Sequence, residues 1–276
     1  VSSRAGLSGL KGLMCVTFLL LGLLAHVIAD FMLQPSDMVE RKERRRISGY
    51  LRHGMVVLAC AAVAFHPYGL ATAVFLAAAV AAAHTIIDWC KNAADRGASP
   101  GRALGLFVAD QCAHVAVLLA VLELTPARMM RPSEKVVWFY KGLLLPKTVA
   151  ALGAAGQAVA ISLDRVLIVA IAYVVAVLAG AVFVRRVLDA FSIGVEPRLA
   201  TSAGRYIGMV ERALMLTLVL VDALPSIAFV LTAKSLARFQ ELNDMRFAEY
   251  YLVGTLTSAC IALAVGIVTK ALIPAL

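Results

Sequence analysis

The sequence predicts an all-α fold, a polytopic transmembrane helix bundle of about seven helices, and three observations support this. First, 62% of the 276 residues are hydrophobic and only 16% are charged, and the mean hydropathy of +0.88 exceeds that of soluble domains. Second, several apolar runs reach the ~20 residues that a helix needs to cross a ~30 Å hydrocarbon core. Third, these runs lack the period-two alternation of a membrane β-barrel, so their backbone is expected to be helical.

The apolar runs place the helices in chain order near residues 13–34, 51–66, 68–91, 103–124, 163–184, 206–232 and 248–272. The first run lacks a small-residue cleavage site and is followed by others, so we expect a retained helix rather than a signal peptide. The second run is short, which favours a tilted or partly re-entrant helix. Residues 125–162 mix polar and apolar stretches and are expected to form a connecting segment with an interfacial or partly inserted helix. This divides the chain into a four-helix domain, 1–124, and a three-helix domain, 163–276.

Basic residues set the expected orientation. The net charge is +9, and the segment "ERKERRRISGYLR" after the first helix carries six Lys and Arg residues. Because Lys and Arg are enriched in cytoplasmic loops, this segment is predicted to face the cytoplasm, as are the basic segments 91–102 and 185–198 by alternation. The basic excess is therefore interpreted as topogenic and lipid-facing, and nucleic-acid binding is not expected.

A polar motif occurs twice at the ends of apolar runs, as "AHVIADF" at 25–31 and "AHTIIDW" at 83–89. A third pair of the same spacing, reversed in order, follows in "FVADQCAH". Residues four apart lie on one face of a helix, so each pair points both side chains the same way. With one more histidine in the first turn of the second helix, seven side chains are predicted to converge near the cytoplasmic face: His26, Asp30, His53, His84, Asp88, Asp110 and His114. Asp110 and His114 are expected in the first turns of their helix.

These residue types predict a divalent metal site. Imidazole and carboxylate are the usual ligands of zinc, manganese and iron where thiolate is absent, and zinc is the first expectation. Seven candidate ligands exceed the four that a tetrahedral ion needs. Either two ions bind, or one ion binds and the remaining carboxylates support its ligands from outside. Packed histidines and a proton or ion pathway are the alternatives. Four of the five histidines belong to the set, and only His66, in an external turn, does not.

Further residues are assigned roles around this site. Asp110 is the candidate general base, because it is expected near the positive end of its helix dipole and close to bulk water. Gln111 and Lys91 are expected to hold the substrate, with an interhelical amide and a snorkelling lysine as their alternatives. Gln34 is a weaker candidate of the same kind. The five cysteines show no CxxC spacing and are interpreted as reduced structural thiols.

The succession "LLAHVIADFMLQ", "LRHG", "AHTIIDWCK" and "FVADQCAH" resembles an uncharacterised family of bacterial multi-pass membrane proteins. "GRYIGMVERALML", "FVLTAKSLARF" and "EYYLVGTLTS" extend that resemblance to the C-terminal third. A looser similarity is to predicted inner-membrane metal-dependent hydrolases and the zinc-dependent phospholipase C group. That similarity implies that the seven residues are metal ligands. The chain lacks the N-terminal ligand and the spare glutamate of those enzymes, so a three-metal cluster is not expected. The resemblance also implies a bacterial inner membrane, and the basic segments predict that the site faces the cytoplasm.

The C-terminal helices carry a second polar set. Glu211 and Arg212 are adjacent and cannot share a helix face, whereas Asp222 lies near Pro225, where a kink is expected. Lys234, Arg238 and Glu249 flank the last connection. Pairing between helices and substrate binding are equally open roles for these residues.

Two functions fit the sequence. The first is a membrane-embedded metal-dependent hydrolase that acts on a phosphoester or acyl bond of a lipid-like substrate, with membrane lipids around it and an oligomer left open. The alternative is a transporter or channel for a transition metal or protons that uses the same residues. Transport sites usually lie near the bilayer midplane, and ligands at helix ends near one interface favour the hydrolase.

Overall fold

The computed structural model describes residues 2–136, 163–191 and 202–273. Within these ranges the chain is helical and contains no strand, which confirms the predicted all-α polytopic bundle. Most of the predicted connecting segment, from 137 to 162, lies outside the described residues.

The described helices follow one another with short connections. They are α1 (Ser2–Phe31), α2 (Ser36–Glu43), α3 (Ile47–Phe65), α4 (Leu70–Ala94), α5 (Pro100–Leu124), α6 (Leu163–Ala190), α7 (Ser202–Leu220), α8 (Pro225–Ala237) and α9 (Met245–Leu272). A 3₁₀ turn, His66–Tyr68, joins α3 to α4, and another, Glu241–Asn243, precedes α9. Within α6, the segment Val174–Ala179 has π-helical hydrogen bonding.

Several of these helices have the length and composition of membrane spans, which indicates a membrane protein. Five described segments qualify: Ile47–Tyr68, Leu70–Ala94, Pro100–Leu124, Leu163–Ala190 and Met245–Leu272. The apolar end of α1 forms a sixth together with α2, although the two are bent by 85° at their junction. Each of the five has at least the ~20 residues that a hydrocarbon core requires.

Relative to the predicted helices, the structure breaks one long span and adds a short helix. The predicted span 206–232 is broken into α7 and α8, because Asp222 has a left-handed backbone (φ 62) and Pro225 begins a new helix. The added helix is α2, which lies where the sequence predicts a loop. It starts directly after Pro35, and it has Asp37 in its first turn and Arg41 and Lys42 in its last, charges that the helix dipole favours.

The contacts divide the chain into two compact units. The first contains Val1–Cys90 and Gln111–Leu167, and the second contains Lys91–Asp110 and Ile168–Ala275. The domain boundaries predicted at 124 and 162 stay predictions.

The core of the first unit comes from α1, α3, α4 and α5. Phe18 stacks on Phe65 with ring centroids 4.7 Å apart, and Val57, Leu76 and Leu118 are buried around them. The second unit has its own core, where Met215 and Val219 of α7 pack with Ile227, Ala259 and Ala262.

Candidate metal centre

Six of the seven predicted ligands lie together in the first unit. They come from the C-terminal end of α1, the second turn of α3, the second half of α4 and the middle of α5: His26, Asp30, His53, His84, Asp88 and His114. Their side chains are buried, and none is more than 9% exposed. Ionisable groups at such positions are costly unless they meet partners or a bound ion.

Three atoms form a tight triangle at the centre of this cluster. Nε2 of His53 lies 2.9 Å from Nε2 of His84, and Oδ1 of Asp30 lies 3.1 Å from each of them. Ligands at ~2.0–2.1 Å from a tetrahedral zinc are ~3.3 Å apart. The triangle is therefore only slightly smaller than one face of a zinc coordination shell.

Hydrogen bonds alone do not account for all three contacts of this triangle. An imidazole nitrogen either carries a hydrogen or presents a lone pair, so the contact between the two Nε2 atoms needs one donor and one acceptor. The accepting nitrogen then faces the carboxylate oxygen of Asp30 with no hydrogen between them. If both nitrogens are protonated, their N–H groups oppose each other. A cation at the centre of the triangle satisfies the three lone pairs at once.

Two further groups of ligand atoms adjoin the triangle. One consists of His26, Asp30 and His114, the other of His84, Asp88 and His114, and in each the atoms lie within 4.8 Å of one another. Oδ2 of Asp30, the oxygen outside the triangle, lies 3.8 Å from Nδ1 of His26. That separation is too long for a hydrogen bond, but it can be bridged by an ion at ~2.0–2.2 Å from both atoms.

Asp30 thus presents one oxygen to each of two ligand groups. A carboxylate in this position can bridge two ions, whereas a single ion needs only the triangle and one further ligand. The buried Nδ1 atoms of His26 and His53 make no hydrogen bond within the described part of the chain. The cluster could hold one metal ion or two.

Lys42 is a member of the cluster that the sequence analysis missed. It was assigned to the basic loop, yet it is 7% exposed, and its Nζ donates to Oδ2 of Asp88 at 2.7 Å. That oxygen also lies 3.6 Å from Nε2 of His53. The sequence carries only a weak signal for this, the spacing of four between Met38 and Lys42, which places both on one face of a helix. In α2 both residues are buried.

The position of Lys42 depends on how α2 packs. Tyr50 on α3 donates its hydroxyl to the carbonyl of Lys42 at 3.0 Å. A Cβ on Gly49 would lie 2.8 Å from the backbone nitrogen of Lys42, so only glycine permits this approach of α3 to α2. With its amide turned for hydrogen bonding, Gln34 donates to the carbonyl of Asp30 at 3.2 Å and accepts from the Lys42 ammonium.

The cluster lies deeper along two helices than the sequence predicted. Helix α5 begins at Pro100, so His114 is ~21 Å along it and Asp110 ~15 Å, at 1.5 Å per residue. Neither is in the first turns, and the expected stabilisation of Asp110 by the helix dipole is wrong, since that effect fades beyond the first turn. The observed start at Pro100 precedes the predicted start at 103 by only three residues, ~4.5 Å, so both residues lie beyond the first turn from either start. On α4, His84 is likewise nearer the middle than the end.

The predicted general base and the two predicted substrate-holding residues do not share one compact unit. Asp110 and Lys91 belong to the second compact unit, where Nζ of Lys91 lies 3.2 Å from Oδ2 of Asp95. Their roles as base and anion holder stay predictions, as does the role of Asp110 as a ligand. Gln111 is within hydrogen-bonding reach of His26. Cys90 and Cys112 are exposed free thiols.

A small cavity opens beside the histidines. Its volume of about 10 Å³ corresponds to about one water molecule. His26, His84 and His114 form its polar wall, and apolar residues including Phe65 and Leu118 form the rest. A metal-bound water has room on this side of the cluster.

The candidate ligands fall within a stretch that is similar to a known family. Residues 17–137 match the family described as "Protein of unknown function (DUF3307)". This stretch, somewhat less than half of the chain, includes all seven predicted ligands and Lys42. It supports the predicted resemblance to a family without assigned function. No curated protein and no solved structure matches the chain, so the resemblance to metal-dependent hydrolases stays an expectation.

Three residues of the second polar set connect helices of the second unit. Arg212 is 3% exposed and donates to the carbonyls of Ala176 and Val177 at 2.8 and 3.0 Å, within the π-helical segment of α6. It also donates to Ser258 at 3.1 Å. Glu211 accepts from Lys234 at 2.6 Å. A π-helical turn leaves carbonyls without their usual helical partners, and the Arg212 guanidinium satisfies two of them.

Proposed function

We propose that the six clustered residues bind one or two divalent metal ions, with zinc as the first candidate, and that the protein is a membrane-embedded metal-dependent hydrolase. The observation that supports this is the triangle of His53, His84 and Asp30, whose three ligand atoms lie 2.9–3.1 Å apart. The other two groups share Asp30, His84 and His114 with one another or with the triangle. Such sharing is what a pair of neighbouring ions requires.

Hydrolysis is the reaction that this donor set suits best. A bound divalent ion lowers the pKa of a coordinated water toward neutrality and polarises the bond to be cleaved. All donors in the groups are nitrogen or carboxylate oxygen, without thiolate, as in many hydrolytic zinc sites. The cavity next to His26, His84 and His114 accommodates one water. The surrounding spans favour a lipid-like substrate with a phosphoester or acyl bond.

Transport of a transition metal or of protons is the second candidate, because His84 and His114 lie near the middle of α4 and α5, the depth at which transporters bind their cargo. Against it, Phe65 forms part of the apolar wall of the cavity and stacks on Phe18, and both rings are at most 2% exposed. A packed core at this position favours a fixed site over a pathway.

The deciding experiment measures metal content, hydrolysis and transport on one preparation. The protein, purified in chelator-free buffer and reconstituted in vesicles of phosphatidylethanolamine and phosphatidylglycerol, is analysed for bound metal. Lipid products are then followed by mass spectrometry and zinc flux by a trapped dye, with His84→Ala as the inactive variant. We expect bound metal and lipid products that both disappear in His84→Ala. Flux without products would establish the transporter, and absence of metal would refute the metal centre.

A further inference from the structure

Lys42 is an unusual neighbour for a cation-binding site. Its ammonium is buried and donates to Asp88 at 2.7 Å, and the same Asp88 oxygen lies 3.6 Å from Nε2 of His53 and 3.8 Å from Nε2 of His84. A buried lysine this close to a divalent ion repels it and weakens its binding. The residue is therefore expected to contribute something other than metal affinity.

The charges of the cluster suggest what that contribution is. With neutral imidazoles, the cluster contains two buried carboxylates, Asp30 and Asp88, and one buried ammonium, Lys42. The two carboxylates balance one divalent ion, so the ammonium leaves the occupied cluster with one net positive charge. In surroundings of low dielectric constant such a charge attracts an anion strongly.

We propose that Lys42 is the anion-binding group of this site and that the anion is a phosphate group, either a lipid headgroup or free phosphate. This inference rests on the proposed metal centre. Lys42 takes the anion-holding role that the sequence predicts for Lys91, because Lys91 is within ion-pair distance of Asp95 in the other compact unit. Lysine binds phosphate as a point charge, and the ion and Lys42 would hold two of its oxygens.

Lys42 lies in the last turn of α2. Helix α2 follows α1 after the 85° bend, and the turn that ends it is exposed at Arg44. The hydrogen bonds that Lys42 makes to Asp88 and Gln34 come from side chains, so its ammonium can turn toward a ligand without unfolding α2. Its backbone stays fixed by Tyr50.

The test compares Lys42→Met with Arg44→Met, which removes an exposed charge next to the same helix. The full chain in dodecylmaltoside is titrated first with zinc and then, loaded with zinc, with inorganic phosphate. For Lys42→Met we expect zinc affinity equal to or higher than that of the unmodified chain. We expect phosphate affinity ~10-fold or more lower, from the loss of one charged hydrogen bond. Arg44→Met should change neither affinity, and Lys42→Arg should retain most of the phosphate binding.

Each other outcome is decisive. If the unmodified chain binds no zinc, the proposed metal centre is refuted and this inference with it. If zinc binds and Lys42→Met holds phosphate as tightly as the unmodified chain, or if Lys91→Met loses it instead, only the inference is overturned. Loss of zinc binding in Lys42→Met would assign Lys42 a structural role and overturn it too. Once Lys42 is shown to bind phosphate, competition by short-chain phosphatidylglycerol identifies a lipid headgroup, and its absence identifies free phosphate.

Discussion

Replacing His53 by alanine tests the metal centre most directly. His53 belongs to one ligand group only, the triangle with Asp30 and His84, whereas the other two groups lack it. The change therefore removes one of three ligands from the triangle and leaves the remaining groups complete. If the triangle holds the tightest ion, His53→Ala should weaken that ion far more than it changes the fold.

The expected magnitude follows from the loss of a direct ligand. Mutating an outer partner of a metal ligand costs 10–100-fold in affinity, so loss of the ligand itself should cost at least ~100-fold. At a zinc concentration 100 times the Kd of the unmodified chain, zinc stabilises the fold by ~2.7 kcal/mol. After a 100-fold rise in Kd the same concentration contributes only ~0.4 kcal/mol.

The assay is thermal unfolding in detergent with and without zinc, together with zinc stoichiometry by elemental analysis. His66→Ala is the matched control, because His66 is a partly exposed histidine outside the cluster. We expect a zinc-induced shift of Tm in the unmodified chain and in His66→Ala, and almost none in His53→Ala. One ion retained by His53→Ala, where the unmodified chain holds two, would support a pair of ions. An equal shift in all three proteins would refute the reasoning.

Three further predictions concern packing and catalysis. Gly49→Ala should displace α2, because the added Cβ would lie 2.8 Å from the backbone nitrogen of Lys42. The displacement should be visible as faster proteolysis within residues 36–46. Gly101→Ala, whose Cβ would meet nothing within 4 Å, should leave the proteolysis rate unchanged. Arg212→Met should lower the unfolding free energy by a few kcal/mol, because it leaves two carbonyls and Ser258 without their donor. Ser258→Ala should lower it by only ~1 kcal/mol. Equal losses for the two variants in denaturant titration would contradict the role of Arg212 as donor to all three groups. Asp110→Asn should retain bound metal and lower lipid hydrolysis ~10²-fold or more if Asp110 is the general base, and unchanged turnover would exclude that role.

The sequence by itself determined the helical fold and most of the span positions. Apolar runs of spanning length leave few alternatives, because the hydrocarbon core requires every backbone polar group to be satisfied within the segment. The pairs His26 with Asp30 and His84 with Asp88 were recognisable for a related reason. Spacing of four fixes a shared helix face, and ionisable residues in apolar runs are rare enough to stand out.

The sequence was less informative wherever helix ends and breaks mattered. Helix α5 starts three residues earlier than predicted, because a hydropathy pattern does not include the polar turn at Pro100. The break between α7 and α8 depends on the left-handed backbone of Asp222. Pro225 indicated a kink, but not that two helices would result.

Tertiary structure alone decided which side chains meet. The contact of Lys42 with Asp88 joins residues 46 positions apart, and the contact of His53 with His84 joins residues 31 apart. Helical periodicity gives the face of each helix but not its rotation against its neighbours, which is set by packing of the whole core. Lys42 looked like one more loop charge in the sequence, and only the 85° bend after α1 and the close approach at Gly49 place it against the histidines.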